Sequence, residues 1–325
     1  MQTKTRRLIQ PIWNTLDAYF SPYSATGLLL CVSGGSDSRA LMEAVAHWPG
    51  RFERIYVASV DHATRSETPF EASAVCARAK ALGFDSHRLT LLPSEKKDEA
   101  SLRQRRYDAI WQLAQELGVS AIATAHTQDD QAESFVMDLM GLGGGPEGAG
   151  MLAISPPFEK GGQGGFRIIR PLLNFSRAYL IAVLTALNVN DYFVDPTNLK
   201  GEGRRVQVRD FLALHQAPKP RLALLAEKRR LDMDALKTLS EDLVSIEPDQ
   251  VKVRLPANIS ESIKFQALKI GLSKFLPYND NRSAGQVLAQ IAHMDSEKKT
   301  FDISGCKISV CNQQATFSLH GFSSN

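Results

Sequence analysis

The sequence predicts an α/β fold, a doubly wound parallel sheet, followed by a smaller C-terminal α+β domain. Three observations carry this. Through the first half of the 325 residues, short apolar runs alternate with helix-period segments, the pattern of a parallel sheet covered by helices. The run Leu28-Leu29-Leu30-Cys31-Val32 is wholly apolar and ends in Ser-Gly-Gly, as expected of a strand buried on both faces. Beyond Pro218-Lys219-Pro220 the character changes to helices interspersed with short alternating strands. The domain boundary is therefore placed there, giving 1–218 and 219–325.

Taken in order, Leu28–Val32 is the first strand, and helical spacing from Ser38 to Val45 is stopped by Pro49-Gly50. Arg54–Val60 is the second strand, ending at Asp61-His62, and Pro69–Leu82 is a helix with Gly83 at its C-terminal cap. His87–Leu92 reads as the third strand and Ser101–Leu117 as a helix stopped by Gly118. Val119–Thr124 is a fourth strand that delivers His126, and Asp129–Leu139 a helix whose acidic start suits the dipole. Two glycine-rich stretches follow, Gly141–Gly150 and Lys160–Gly165, with little side chain to pack. Phe166–Leu173 is a strand, Ser176–Leu187 a helix, Asp195–Asn198 a turn and Arg205–His215 a helix. In the second domain, helices are expected at Arg221–Val244, Ser260–Phe275 and Ser283–Ala292. Strands are expected there at Val251–Leu255, Thr300–Ile303, Lys307–Val310 and Ala315–Leu319.

Composition excludes several classes. With 43% hydrophobic and 22% charged residues the chain is not disordered, collagen-like or a fibrous coiled coil. It contains no apolar run long enough for a membrane helix. The start, MQTKTRRLIQPIW, lacks the apolar core and cleavage site of a secretory signal, so a cytoplasmic location is expected. Four scattered cysteines, Cys31, Cys76, Cys306 and Cys311, make neither a disulfide framework nor a C-x-x-C metal site. Lys and Arg number 38 against 35 Asp and Glu. A nucleic acid would thus be held by local basic patches, not by overall charge.

The chemistry concentrates after the strands. Ser33-Gly34-Gly35-Ser36-Asp37-Ser38 lies between strand and helix. Its glycines let backbone N–H groups approach an anion, its serines add donors, and the helix N-terminus adds positive potential. Asp37 is out of place in a purely anion-binding loop and makes sense if it holds Mg²⁺. No Lys follows the glycines, so this is not the G-x-x-x-x-G-K-[ST] phosphate loop. The run His126-Thr127-Gln128-Asp129-Asp130-Gln131-Ala132-Glu133 puts Asp130 and Glu133 on one helix face. Such a pair by itself is usually a solvated face, and Asp129 by itself reads as a cap. His126 is open to a packing role or to metal ligation with Asp130, but the partner histidine of a zinc helix is missing. Arg105 and Lys228-Arg229-Arg230 read as solvated charges, and Lys4, Arg6 and Arg7 as tail charges. Ser33, Asp61 and His126 each follow an expected strand, so all three should converge on the carboxyl edge of the sheet, where open α/β folds bind ligands.

The glycine-serine loop resembles the pyrophosphate-binding (PP) loop of the N-type ATP pyrophosphatases, which have an adenine nucleotide alpha hydrolase-like fold. With Asp61-His62, Glu99…Arg103…Arg106-Tyr107, the His126–Glu133 run, Arg170-Pro171-Leu172 and Asp195-Pro196-Thr197-Asn198 followed by Arg205 and Arg209, residues 27–215 are similar to the tRNA(Ile)-lysidine synthetase family. The resemblance implies an ATP-dependent ligase that joins free L-lysine to C2 of the first anticodon cytidine of a CAU-anticodon tRNA(Ile), releasing AMP and pyrophosphate. It implies ATP held by Ser33, Gly34, Gly35, Ser36, Asp37, Ser38, Asp61 and His62, with Mg²⁺ on Asp37. Catalytic parts fall to Asp37, Arg106, His126, Asp130, Glu133 and Arg205, with Asp130 and Glu133 holding the lysine. The C-terminal domain would bind tRNA, no membrane partner is implied, and a homodimer is left open. Two positions depart from the family pattern: Met140–Gly145 carries no arginine, and Val206 stands where asparagine is usual. The alternatives are a tRNA 2-thiolation enzyme of the same superfamily, which would need C-x-x-C pairs, and a non-catalytic RNA-binding protein with a degenerate nucleotide fold.

Overall fold

The structure, a computed structural model, describes residues 3–61, 68–91, 99–142, 150–155, 158–160, 163–193, 203–275, 284–287, 289, 299–303, 306–311 and 313–319. His62, Asp195–Asn198, most of both glycine-rich stretches and the side chains of Glu99 and Arg103 lie outside the described residues. The chain divides into two units, Met1–Glu227 and Lys228–Asn325.

The first unit opens with helix α1 (Thr3–Phe20), where only tail charges were expected. Ile9, Ile12, Trp13, Leu16 and Phe20 recur at helical spacing and are all buried, an apolar stripe that seats the helix on the core. Lys4, Arg6 and Arg7 occupy its exposed side. There follow β1 (Leu28–Cys31), α2 (Ser36–Ala46), β2 (Ile55–Asp61), α3 (Thr68–Ala81), β3 (Asp85–Thr90), α4 (Glu99–Glu116), β4 (Ala121–Ala123) and α5 (Gln128–Leu139). The unit continues through β5 (Phe158–Lys160), β6 (Gln163–Ile169), α6 (Arg177–Ala186), α7 (Arg204–Leu214) and the start of α8 (Lys219–Glu241).

Its sheet has the order β3-β2-β1-β4-β6-β5. Every pairing is parallel except β5 with β6. The alternation of strand side chains explains why β1 is apolar throughout. Leu28, Leu30 and Val32 join the core under α1, α2, α3 and α6, while Leu29 and Cys31 face the core under α4 with Ile110, Trp111 and Ala114. Both faces are covered, so no polar position is left on the strand. The chain runs outward from β1 through β2 to β3, then returns to β4 on the other side of β1. The order therefore reverses between β1 and β4, the point at which open α/β sheets leave a crevice.

The division between units falls inside α8, nine residues after the boundary placed at Pro218, because the first turns of α8 pack on the first unit. Lys219 is 2.9 Å from Asp129 on α5, and Ala226 is fully buried. Gly150 comes so close that a Cβ there would lie 3.1 Å from the Ala226 Cβ.

The second unit is an antiparallel sheet of order β7-β8-β11-β10-β9, formed by β7 (Val244–Ile246), β8 (Val251–Arg254), β9 (Lys299–Ile303), β10 (Cys306–Cys311) and β11 (Gln314–Leu319), with α9 (Glu261–Ser273). Val251, Val253, Leu268, Leu272, Ile308 and Phe317 fill its core. The expected helix to Val244 ends earlier. Val244 and Ile246, β-branched and alternating, pair with β8 instead. Among the described residues, no helix is long and apolar enough to cross a membrane.

Candidate active site

The loop after β1 is shaped by Gly34 and Ser38 and leads into a helix start with no side-chain cap. Gly34 has φ of +89°, and a Cβ there would lie 2.8 Å from the Phe193 ring, so only glycine fits. Ser38 folds back inside the loop: its hydroxyl accepts from the Gly34 N–H (3.1 Å), donates to the Gly35 carbonyl (3.0 Å) and lies 3.2 Å from the Ser33 hydroxyl. Helix α2 starts from Gly35, which offers no side-chain acceptor to the first turn. Such a terminus attracts an anion. Ser36 donates to Asp37 Oδ1 (3.1 Å).

Helix α5 begins after β4, across the switch point. Thr127 and Asp130 form a reciprocal capping box, with the Thr127 N–H donating to Asp130 Oδ2 at 2.8 Å. The N-cap is thus Thr127, with Asp130 as its capping-box partner, and not Asp129. This use of Oδ2 fixes the rotamer and turns Oδ1 toward Arg205 Nη2, 3.1 Å away. Glu133, one turn on and fully buried, accepts from Arg205 Nε (2.9 Å), Arg209 Nε (2.8 Å) and Arg209 Nη2 (3.1 Å). Arg205 reaches both acids, so Asp130 and Glu133 do share a face.

Arg177, which the sequence reading did not single out, closes the circuit. Its Nε donates to Asp37 Oδ2 at 2.9 Å, and its Nη2 lies 3.9 Å from Asp130 Oδ1. Asp129 accepts its backbone N–H at 2.8 Å as well as the Lys219 ammonium. A signal for Arg177 was present: an arginine at the first position of a helix opposes the dipole and calls for carboxylate partners. Arg209, named with Arg205 in the sequence, follows it by four residues, and two like charges on one face are eased by an acid between them.

Electrostatics separate the acids. Burial raises the Asp37 carboxyl above the ordinary aspartate range against the pull of Arg177. Burial also pushes Asp130 upward, but Arg205, His126 and the Thr127 N–H outweigh it and hold that carboxyl low. Asp129 is held low in the same way by the Arg177 N–H and Lys219.

The other expected site residues lie around this cluster. His126 Nδ1 is 2.9 Å from the Thr124 hydroxyl, and its charge acts on Asp130. Asp61 ends β2, almost fully buried, and accepts from Arg88 at 3.0 Å. Arg106 on α4 acts on the Cys31 thiol at the carboxyl end of β1. Among the described residues, no hydrogen bond or ion pair joins Arg106 to Asp37, Asp130 or Glu133. Arg170 donates to the Leu152 carbonyl (2.7 Å), and Gln131 donates to that of Met151 (2.8 Å), tying the exit of the glycine-rich stretch to the sheet and α5.

Comparison with known proteins gives a consistent placement. The chain is 38% identical to the tRNA(Ile)-lysidine synthase of Methylobacterium nodulans, over 70% of this chain and 66% of that one. It is 36% identical to that of Bradyrhizobium diazoefficiens, over 58% of this chain and 52% of that one. The matched stretch thus spans less than two thirds of these relatives. The U34-tRNA thiolase NcsA from Methanococcus maripaludis shares the fold, with a TM-score of 0.57 at 14% identity over 70% of this chain and 78% of that one. Residues 4–216 match the PP-loop domain, and with the loop, the switch point and the acids of α5 in place at one edge of the sheet, the chain belongs to the PP-loop family.

Proposed function

We propose that this protein is a tRNA(Ile)-lysidine synthase, which uses ATP to join free L-lysine to C2 of the first anticodon cytidine of a CAU-anticodon tRNA(Ile). One observation carries the reading: Arg177 links Asp37 of the loop to Asp130, and Arg205 links Asp130 to Glu133. The triphosphate end of the site and the acids of α5 therefore form a single polar edge, as a two-step transfer needs.

In the first step the cytidine O2 attacks the α-phosphorus of ATP and pyrophosphate leaves. The carbonyl oxygen thereby becomes part of a good leaving group. In the second step the lysine ε-amine attacks C2, the C2–O bond breaks and AMP departs. An ammonium with an ordinary pKa of about 10.4 must lose a proton before it attacks. Asp130, held ionised by Arg205 and His126, is the group we assign to receive the ammonium and orient it. Both Glu133 oxygens are occupied by guanidiniums, which supports a positioning part for Glu133 through Arg205 and Arg209. His126 and Arg106, at the carboxyl ends of β4 and β1, are assigned to the charge that develops on phosphate. Ser33 to Ser38 hold the pyrophosphate end, and Asp61 and His62 the nucleoside side.

The residues suit Mg²⁺. Two carboxylates, Asp37 and Asp130, already converge on one guanidinium cation, and Mg²⁺ takes one or two carboxylates while keeping waters and phosphate oxygens. Asp37 would hold the ion, which would supply neutralising charge to the phosphates.

A thiolation reading fits less well: burial pushes the Cys31 thiol up to about 12, so it stays protonated and is a poor sulfur carrier. A homodimer would cover exposed apolar side chains such as Leu139 of α5, Phe211 and Leu214 of α7 and Leu224 of α8. The second unit, from the 219–325 region, is assigned to tRNA binding, and the cytoplasm is the compartment that supplies tRNA, ATP and lysine. The test is incubation with ATP, Mg²⁺, labelled amino acids and CAU-anticodon tRNA(Ile). Incorporation from lysine alone is expected. Sulfur incorporation from cysteine, or equal use of a methionine tRNA, would overturn the reading.

A further inference from the structure

Farther along α2 from the loop lies a second set of charges. Glu43 on α2 is fully buried. Its Oε1 accepts from Arg39 Nε (2.9 Å) and from Arg78 Nε of α3 (2.8 Å). Among the described residues its Oε2 has no hydrogen-bond partner. Arg39 is itself almost fully buried, one residue beyond the loop, and its Nη2 donates to both Asp191 oxygens at 2.9 and 3.1 Å. Asp191, by contrast, has a side chain 74% exposed.

Two residues after Asp191 comes Phe193, and its contacts are with the loop. Its N–H donates to the Gly34 carbonyl at 2.9 Å. It forms a parallel bridge with Gly35, and its ring fills the space that a Gly34 Cβ would need. The 191–193 segment is therefore joined to the loop by a single bridge at Phe193, with Arg39 gripping its near end.

We infer that Arg39 is a positioning residue for the nucleotide loop, acting through Asp191 and Phe193. Glu43 fixes the guanidinium plane from below, since a buried guanidinium requires a paired acid. The guanidinium then presents Nη2 to both Asp191 carboxylate oxygens while Nη1 donates to the Asp191 carbonyl at 3.4 Å, a spread of donors over three nitrogens that a single ammonium does not reproduce. Asp191 so held keeps Phe193 over Gly34, and the Gly34-Gly35 backbone keeps the turn that leads into the uncapped N-terminus of α2, where a phosphate would sit. The inference rests on the reading that this loop binds ATP, and not on which amino acid or tRNA is used.

The test is the dissociation constant of Mg·ATP, measured by titration calorimetry on the full chain without tRNA or lysine. Asp191→Ala removes an exposed side chain and leaves the buried Arg39–Glu43–Arg78 group intact, so folding is undisturbed. A two- to five-fold weaker Mg·ATP affinity is expected, about the size of a partly exposed ion pair, with the KM for lysine unmoved in turnover assays. Arg39→Lys should recover only part of the affinity lost in Arg39→Met. Wild-type affinity in Asp191→Ala, or equal shifts in the ATP and lysine constants, would overturn the inference. Normal Mg·ATP binding without lysine incorporation would overturn the functional reading and leave the inference standing.

Discussion

Two helices leave the sheet on either side of the switch point, and each carries a fully buried glutamate clamped by two arginines. On α2, Glu43 offers one oxygen to both Arg39 and Arg78. On α5, Glu133 offers both oxygens to Arg205 and Arg209. The chemistry is alike and the setting is not. Arg39 is 5% exposed at its side chain, whereas Arg205 is 34% exposed and also touches Asp130. The α2 clamp turns its buried Arg39 toward Asp191 and the loop, and fixes a shape. The α5 clamp has a partly exposed Arg205 that also reaches Asp130, and in the proposed reaction this is the side that meets substrate. A buried ion pair is thus a part whose role depends on what its outer partner touches.

The largest effect should come from the acid that joins the loop to the α5 side. Asp37→Asn keeps the size of the side chain and removes the charge that faces Arg177. We expect ATP-dependent AMP release to fall by about 10²–10³-fold or more, the size seen when one preorganised charge-stabilising group is lost. Circular dichroism should be unchanged. AMP release within a few-fold of wild type would mean that the loop works without this carboxylate, and the polar edge would lose its link.

The clamps themselves separate next. Glu43→Gln leaves the buried Arg39 guanidinium against a neutral amide, which costs about 3–5 kcal/mol when one partner of a buried pair is removed. Its thermal midpoint should drop by about 10 °C, with lysine kinetics close to wild type. In Glu133→Gln the arginines have water and Asp130 to turn to, so the midpoint should fall less. Lysine KM should rise by about tenfold, one charge-assisted hydrogen bond's worth. If both variants lose stability equally and neither moves the lysine KM, the two clamps are the same device and the distinction drawn between them fails.

What the sequence discloses follows from how local each signal is. The apolar run of β1, the Ser-Gly-Gly turn and the Asp130–Glu133 spacing are all readable within a few residues. Their convergence follows from the rule that parallel strands present their carboxyl ends on one edge. Helix α1 was hidden because its stripe, Ile9 to Phe20, is interrupted by Pro11 and preceded by basic residues that read as a tail. Arg177 and Asp191 were hidden for another reason. Their partners lie 140 and 152 residues away, and no period or turn residue encodes a pairing over such a distance. The edge strand β7 went unread, its first residue Val244 given to the preceding helix, because three residues are too few to show alternation. Asp61 was expected at the nucleotide and does end β2, but its pairing with Arg88 depends on the β2–β3 register, which one strand alone does not reveal.

The smallest effect concerns acid. Asp129 and Asp130 are both held below the ordinary aspartate range, Asp130 by Arg205 and His126 against burial, Asp129 by the Arg177 N–H and Lys219 against burial. A carboxyl whose folded value is depressed binds its proton more readily in the unfolded chain. Its contribution is therefore complete above the ordinary value, near pH 4, and is lost as pH falls through the depressed value. Urea midpoints taken with a chelator present should decline below about pH 4 in the wild type. Asp130→Asn should be less stable than wild type at pH 7, and the gap should close as pH falls. Its amide oxygen still accepts from the Thr127 N–H, so the cap survives and the comparison isolates the charge. Asp129→Asn should behave the same way with a smaller gap, since its partners are one ammonium and one N–H. A gap that stays constant with pH would mean that neither carboxylate is held ionised by its neighbours, and the α5 cluster would then be a packing device like that of α2, not the open half of the pair.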